Sequence, residues 1–385
     1  MIILLILFAL ILFLVERYYL QNGLSRIYYD VSVSQALLEP EEEFIIRSTI
    51  ENHKPLFLPY LSMEESLPYE IQISETEQVD RDSTGLQVFT NTTSAQYEQI
   101  RNAYLKSSLY LMPNQKFTRE VRASLPCRGR FLFRGCNLHG GDFLGLSDSD
   151  RSFPTTREVV VMPKRAPIPD IGRLVGDFLG DLSVNRFIFE DPMLTIGFSE
   201  YTGREPLRDI SWSQTARMGR TMVKNYDHTV DLSLTILLNV QSANSNSDDD
   251  QAVETCISMV RSLCETLEEQ HIKYSFLTNA IPVGMIGGAD EIEQGNGNRH
   301  FFAMMEMLGR LTSIGAKPFS NTILRACRTS EQGRHHILVT PEWNPEWAEP
   351  MHLLEKLSDG HILTLTPEQA GLNGSDGGSA EEVSA

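Results

Sequence analysis

The first segment of the chain is apolar without interruption. All residues from Met1 to Val15 are hydrophobic, and charge first occurs at Glu16 and Arg17. As a helix this run reaches about 22 Å, and continuing it through Leu20 reaches about 30 Å, the thickness of a bilayer's hydrocarbon core. The pattern predicts a transmembrane anchor over residues 1–20. A cleaved signal peptide is the alternative, but the segment has no basic n-region and no small-x-small cleavage site.

The charges that flank this segment predict its orientation. Basic residues occur only on its C-terminal side, at Arg17 and Arg26. By the positive-inside rule the bulk of the chain then lies in the cytoplasm and Met1 lies outside. The sequence therefore predicts a single-pass protein of the cell membrane whose soluble domains are cytoplasmic.

The next part of the chain has the pattern of an all-β domain. β-Branched and aromatic residues alternate with polar ones, and Pro and Asn separate the short runs, as is typical of half-buried strands. Such a series closes most naturally as a β-sandwich-like domain, here over residues 24–165. The candidate strands are Arg26 to Ser34, Glu43 to Glu51, Leu67 to Ile73, Ser107 to Met112 and Lys116 to Leu125.

After Asp227 the pattern changes to alternating strands and helices. This order predicts a parallel sheet covered by helices, an α/β domain over residues 229–367. The predicted strands are 230–240, 272–278, 336–340 and 361–366, and the predicted helices are 248–270 and 301–311. Residues 166–228 form a linker, and residues 368–385, rich in Gly, Ser and Glu, are too polar to fold.

The overall charge of the chain argues against one class of partner. Lys and Arg number 33 against 51 Asp and Glu, a net charge of −18 that repels a phosphate backbone. The sequence therefore predicts no nucleic-acid partner. The five cysteines are odd in number and scattered, which argues against a secreted disulfide scaffold and leaves one disulfide open.

The linker combines aromatic residues with charge. Tyr201 and Trp212 are residue types that favour burial, whereas Arg208, Arg217 and Arg220 need water or a partner. This combination predicts a packed segment held to the flanking domains by ion pairs.

The same segment carries a motif. In order and spacing it resembles the signature of the bacterial family called domain of unknown function 58, and the upstream residues Arg128-Gly129, Asp142 and Gly145-Leu146 also resemble that family. The residues of the candidate interaction motif are Glu200, Tyr201, Gly203, Arg208, Asp209, Trp212, Ala216 and Arg217.

The resemblance implies an architecture and a partner. The family is similar to proteins with an N-terminal membrane hairpin, a β domain and a von Willebrand factor type A-like domain. They are often paired with a MoxR-type AAA+ ATPase. This chain has one apolar helix where the family commonly has two. The implied partners are the membrane and a MoxR-type AAA+ ATPase.

The metal site that a type A domain implies is degenerate in this sequence. Such a domain binds Mg²⁺ through D-x-S-x-S after its first strand, because a hard cation needs carboxylate and hydroxyl oxygens. Here Asn239, Gln241 and Ala243 occupy those positions. Substitute ligands among Ser242, Ser245 and residues 248–250 are the alternative, but acidic residues there more often match a helix dipole. The sequence predicts no metal and no other cofactor.

The sequence does not support a zinc site or a catalytic site. Cys127, Cys136 and His139 include zinc-ligand types but lack a fourth ligand, and His335-His336 precede a predicted strand. No recognisable hydrolase motif is present in the sequence.

These observations predict a non-enzymatic, membrane-anchored scaffold or adaptor. Through the resemblance, it is expected to work with a MoxR-type ATPase in assembly or cell-envelope processes. The alternative is a cell-envelope hydrolase with its site in the domain junction.

Overall fold

The computed structural model describes two compact units. The first comprises Met1–Lys164 with Met305–Arg310, and the second comprises Arg165–Met304 with Leu311–Ala385. The described residues are 2–74, 79–87, 99–141, 148–166, 176, 178, 191–203, 206–227, 233–241, 247–284, 290–315, 317–329, 334–358 and 361–368. Of the predicted polar tail over 368–385, residues 369–385 lie outside the described residues.

Helix α1 covers Ile2–Asn22 and corrects the membrane prediction. In the part of the chain that the structure describes, no helix combines the length and apolarity needed to cross a membrane. The uninterrupted apolar run ends at Val15, about 22 Å of helix against a core of about 30 Å, and Glu16 and Arg17 interrupt its continuation. The prediction of a transmembrane helix is therefore wrong, and so is the single-pass membrane localisation derived from it.

The first unit is built from β-sheets. Three sheets have the strand orders β1-β3-β8-β5, β11-β10-β4-β7-β6 and β2-β12-β9. This richness in sheets is consistent with the predicted β-sandwich. The strands are β1 (Ile27–Val33), β2 (Leu37–Leu38), β3 (Phe44–Asn52), β4 (Leu58–Pro68), β5 (Gln72–Ile73), β6 (Val79–Gln87), β7 (Gln99–Leu111), β8 (Lys116–Ser124), β9 (Gly129–Phe133), β10 (Cys136–Gly141), β11 (Asp148–Phe153) and β12 (Arg157–Val161).

Alternating side chains explain the strands of this unit. Ile27, Tyr29 and Val31 are buried along β1 while the residues between them are exposed, the period of two that a half-buried strand shows. The predicted strands over 26–34, 43–51 and 116–125 are confirmed within one or two residues. The strand predicted over 67–73 is wrong, because β4 ends at Pro68 and the chain turns before β5.

The second unit mixes strands and helices. The strands are β13 (Asp191–Glu200), β14 (Met222–Asp227), β15 (Ser233–Leu238), β16 (Lys273–Thr278), β17 (Ala280–Pro282), β18 (Glu291–Gly295), β19 (Leu311–Gly315), β20 (His335–Val339) and β21 (Ile362–Leu365). The helices are α2 (Trp212–Met218), α3 (Ser247–Glu269), α4 (Asn298–Arg310), α5 (Phe319–Thr329) and α6 (Ala348–Ser358), with 3₁₀ turns at Leu207–Asp209 and Pro345–Trp347. Residues Met305–Arg310 of α4 group with the first unit.

The main sheet of this unit has the order β18-β16-β15-β20-β21. The pairs among β16, β15, β20 and β21 are parallel, and β18 is antiparallel to β16. The four strands predicted after Asp227 are confirmed. The first ends at Leu238 instead of residue 240, and its predicted start over 230–232 lies outside the described residues. From β15 the chain first adds β16 on one side and later β20 on the other. The sheet therefore has a switch point between β15 and β20, where crevices form beyond the strands' carboxyl ends.

Candidate functional site

The motif residues lie on one small substructure of the second unit. Strands β13 and β14 pair antiparallel, with Glu200 opposite Met222, and the 3₁₀ turn and α2 connect them. Arg208 and Asp209 lie in the turn, whereas Trp212, Ala216 and Arg217 belong to α2. Tyr201 follows β13, and Gly203 has a φ of +90°, a left-handed conformation that favours glycine.

Ile210, which precedes α2, joins this segment to β14. Its side chain is buried, its backbone forms an isolated antiparallel β-bridge with Val223, and the Ser211 amide donates a hydrogen bond to the Met222 carbonyl at 2.8 Å. In return the Met222 amide donates to Thr215 Oγ1 at 3.0 Å. The helix is therefore fixed to β14 without the tryptophan.

Trp212 points into solvent. Its exposure is 71%, so the expected burial of this side chain is wrong. Leu207 and Met218, at either end of the same segment, are also exposed large hydrophobic residues. One short, fixed segment thus presents three large apolar side chains to water.

Basic residues accompany these apolar side chains. Residues 206–224 contain four basic residues against the single acidic Asp209, in a chain with a net charge of −18. Glu200 approaches Arg220 at 3.4 Å, and Arg208 Nε lies 3.8 Å from Asp209 Oδ1. Both contacts involve exposed guanidinium groups, so they contribute little to stability. We call Leu207, Arg208, Trp212, Arg217, Met218 and Arg220 the Trp212 surface.

A second cluster lies at the carboxyl edge of the parallel sheet, where the degenerate metal position was predicted. The Asn239 amide nitrogen donates to the Gln241 carbonyl at 2.9 Å and to Thr340 Oγ1 at 3.1 Å. Its oxygen accepts from the Gln241 amide and from Asn279 Nδ2, each at 2.9 Å. Asn279 also accepts from the Val240 amide at 2.9 Å, and the three side chains of this network are buried.

This network does not suit Mg²⁺. Amide and hydroxyl groups of Asn239, Asn279 and Thr340 supply no negative charge, and the Asn239 amide already makes four hydrogen bonds. Among the described residues, no group of three His, Cys, Asp or Glu side chains is arranged to hold a metal ion. Ala243 lies outside the described residues, and the absence of a metal remains a prediction.

A pocket of about 240 Å³ adjoins this network. Gln241 stands three residues after β15, and Glu342 and Trp343 follow β20, so the pocket lies at the switch point of the sheet. Its other walls include Phe319, Glu346 and Trp347. Sequence reasoning missed this pocket, although the closely spaced tryptophans of W-N-P-E-W directly after a buried strand were a usable signal.

The remaining candidate residues, Cys136, His139, His335 and His336, are surrounded by packing and hydrogen bonds within the fold. Burial raises the pKa of the Cys136 thiol, and His139 Nδ1 lies 2.7 Å from Asp150 Oδ1. Burial lowers the pKa of both His335 and His336 to about 4, which keeps them neutral near pH 7. Gly129 begins β9, whereas the upstream residues Asp142, Gly145 and Leu146 lie outside the described residues.

Comparison with known proteins adds little. No protein-family model and no curated protein matches the chain. Solved structures that match include the cohesin module of a family 33 glycoside hydrolase from Clostridium perfringens, at 13% identity and a TM-score of 0.23, over 35% of this chain and 96% of that one. Another is the alkylpurine DNA glycosylase AlkC of Pseudomonas fluorescens, at 10% identity and a TM-score of 0.22, over 37% of this chain and 32% of that one.

A third match is the CARDB domain of a Pyrococcus furiosus protein in complex with di-metal ions. Its identity is 11% and its TM-score 0.20, over 35% of this chain and 88% of that one. Matches this distant carry no argument about function, which has to rest on the site itself.

Proposed function

We propose that this protein is a non-enzymatic adaptor that binds a protein partner through the Trp212 surface. The observation that carries the proposal is the exposure of Trp212 at 71% on a segment that Ile210 fixes to β14. The backbone of this segment is already paired to β14, so little backbone entropy is lost when a partner covers Trp212.

The composition of the surface fits an interface. Tryptophan and arginine are enriched among the residues that dominate binding energies, and lysine, glutamate and aspartate are depleted there. Leu207 and Met218 extend the apolar contact on the same segment. Single exposed hydrophobic residues are ordinary, and the proposal rests on three of them lying within one short segment.

Charge indicates the chemistry of the partner. The arginines of the surface are exposed, and Arg208 carries one of the most accessible charged groups, with 85% of its side chain exposed. A complementary partner presents an apolar pocket with an acidic rim, which would also raise the association rate at low salt. The resemblance of the motif makes a MoxR-type AAA+ ATPase the partner that we put forward, in assembly or cell-envelope processes.

The test is a binding measurement between purified proteins. The full chain is immobilised, and the MoxR-type ATPase of the same organism is titrated over it by biolayer interferometry. We expect Trp212→Ala to weaken binding tenfold or more, as the loss of a central tryptophan does. Tyr110→Ala is the matched control, since Tyr110 is an aromatic side chain of the first unit with 60% exposure.

Two results would contradict the proposal. One is an unchanged affinity for Trp212→Ala, and the other is an equal loss for Tyr110→Ala. Arg217→Glu provides an independent arm: it should weaken binding and reduce its dependence on salt, because an attractive charge is replaced by a repulsive one.

A further inference from the structure

The pocket at the switch point of the parallel sheet is lined by tryptophans and glutamates that have no role in the proposed adaptor function. We propose that it binds an organic cation, namely the ammonium or guanidinium group of a small molecule or of a basic side chain. The proposal is independent of the Trp212 surface, since its residues all follow β15, β19 and β20.

Two tryptophans form the aromatic wall. Trp347 is buried, and its ring lies 5.1 Å from that of Phe319 in an edge-to-face arrangement. Trp343 is 42% exposed, and its ring centroid lies 6.1 Å from that of Trp347 at an interplanar angle of 83°. Trp343 thus contacts Trp347, lines the pocket and keeps part of its side chain exposed. Tryptophan is the aromatic side chain that attracts a cation most strongly.

The charge of the pocket is negative. Glu342 and Glu346 both line it and are exposed, and within the described residues neither carboxylate has an ion-pair partner. The neighbouring Lys317 places its ammonium group 3.1 Å from Asp290 Oδ2. The N-terminus of α5 at Phe319 contributes a partial positive charge of about half a unit, which two full carboxylates exceed.

Buried hydrogen bonds organise the rim. Asn239 Nδ2 donates to Thr340 Oγ1, and the Thr340 hydroxyl donates to the Glu342 carbonyl at 2.7 Å. Asn344 accepts a hydrogen bond from the Glu346 amide at 2.9 Å, which caps the 3₁₀ turn. The segments that carry both carboxylates are thus fixed before a ligand arrives, which reduces the entropic cost of binding.

The size of the pocket limits the ligand. Pockets for drug-sized molecules usually measure about 300–1,000 Å³, and this one measures about 240 Å³. It is therefore suited to one amino-acid side chain or one small cation. Its position beyond the carboxyl ends of β15 and β20 is where open α/β sheets place their ligands.

The three tryptophans of the chain allow a direct test. In the full chain carrying Trp212→Phe, the remaining tryptophans, Trp343 and Trp347, both line the pocket. This variant is titrated with Nα-acetyl-lysine amide, Nα-acetyl-arginine amide and choline, with fluorescence and titration calorimetry as readouts. Nα-acetyl-norleucine amide and Nα-acetyl-glutamate amide are the neutral and acidic controls.

We expect saturable binding of at least one cation, with no saturation by either control. Glu342→Gln with Glu346→Gln, and separately Trp343→Ala, should weaken cation binding tenfold or more. Glu349→Gln, which removes an exposed carboxylate from the first turn of α6 outside the pocket lining, should leave the affinity unchanged. Melting temperatures and the single glutamine variants show whether any loss reflects unfolding. Tighter binding of Nα-acetyl-lysine amide or Nα-acetyl-arginine amide than of choline identifies a partner's side chain as the source, and the reverse identifies a free cation.

Three outcomes would overturn the proposal. The first is the absence of saturation by every cation into the millimolar range. The second is equal binding of the norleucine control or tighter binding of the glutamate control. The third is cation binding that survives in folded variants lacking both pocket carboxylates or Trp343.

Discussion

At the scale of single residues, Asn239 decides the chemistry of the carboxyl edge. Its amide donates two hydrogen bonds and accepts two, and the side chain is fully buried. A carboxylate of the same shape accepts but cannot donate. The local hydrogen bonds therefore favour asparagine over aspartate at this position.

We predict that Asn239→Asp destabilises the protein by about 2 to 5 kcal/mol at pH 7. An aspartate keeps the two accepted hydrogen bonds but loses the two donated ones and places a negative charge in a buried site. Urea unfolding followed by circular dichroism measures the loss. Gln241→Glu, at an exposed position of the same edge, is the control and should change stability by less than about 0.5 kcal/mol. Equal stabilities of wild type and Asn239→Asp would contradict this account of the network.

In the first unit, the buried carboxylate of Glu65 joins two side chains. Tyr29 donates a hydrogen bond to Glu65 Oε1 at 2.7 Å, and Arg119 forms an ion pair with the other carboxylate oxygen. Burial and the neighbouring Glu65 charge raise the pKa of the Tyr29 phenol.

Glu65→Ala should cost about 3 to 5 kcal/mol, because it removes the carboxylate of a buried ion pair. Tyr29→Phe removes one hydrogen bond to a charged group and should cost less, about 1.5 to 3 kcal/mol. Thermal denaturation of both variants distinguishes the two magnitudes. A cost for Glu65→Ala no larger than that for Tyr29→Phe would show that the pair with Arg119 is dispensable.

At the scale of elements, the residue that stabilises α2 differs from the residue that α2 exposes. Ile210 is 8% exposed and docks the helix, whereas Trp212 begins it and faces solvent. We expect Ile210→Ala to cost about 2 to 5 kcal/mol and Trp212→Ala less than about 1 kcal/mol. Chemical denaturation of the two variants measures this contrast. A large loss for Trp212→Ala would mean that the tryptophan is packed in solution.

Strand β20 makes stability depend on pH. His336 is 1% exposed, and burial, together with Arg334 and His335, lowers its pKa to about 4. Between that value and the unfolded value near 6.5, the unfolded chain binds more protons than the folded one. Stability therefore falls as the pH drops from 6.5 to 4, by roughly 3 kcal/mol at most from this histidine.

His336→Gln should flatten this part of the stability profile. Glutamine stays neutral, so the contribution of His336 disappears while that of His335 remains. Urea unfolding at several pH values between 4 and 7 gives both profiles. Parallel profiles for wild type and variant would contradict the assignment.

At the scale of the whole molecule, strands whose side chains obey a simple pattern could be predicted from the sequence. The alternation of Ile27, Tyr29 and Val31 gives β1, and the largely apolar sequence of β15 indicates a strand buried on both faces. Helix α5 was not predicted. Its buried residues Phe319, Thr322, Ile323 and Ala326 have helical spacing, but a threonine and an alanine weaken the apolar stripe.

The candidate site was predictable only in part. The motif directed attention to the segment around Trp212, whose role in binding stays a prediction, and the spacing after β15 pointed to the carboxyl edge of the sheet. The exposure of Trp212 could not be predicted. Tryptophan side chains are highly buried on average, so the sequence favoured burial here as well. The pocket was equally hidden, since β15 and β20 become neighbours only through the strand order.

The central claim is that Trp212 is accessible in the free protein and covered by the partner. Hydroxyl-radical footprinting read by mass spectrometry measures the oxidation rate of individual side chains without any substitution. We expect Trp212 to oxidise rapidly in the free protein and to become protected when the MoxR-type ATPase is added, while the buried Trp347 oxidises slowly in both states. Oxidation of Trp212 as slow as that of Trp347 in the free protein, or an unchanged rate in the presence of bound ATPase, would contradict the account.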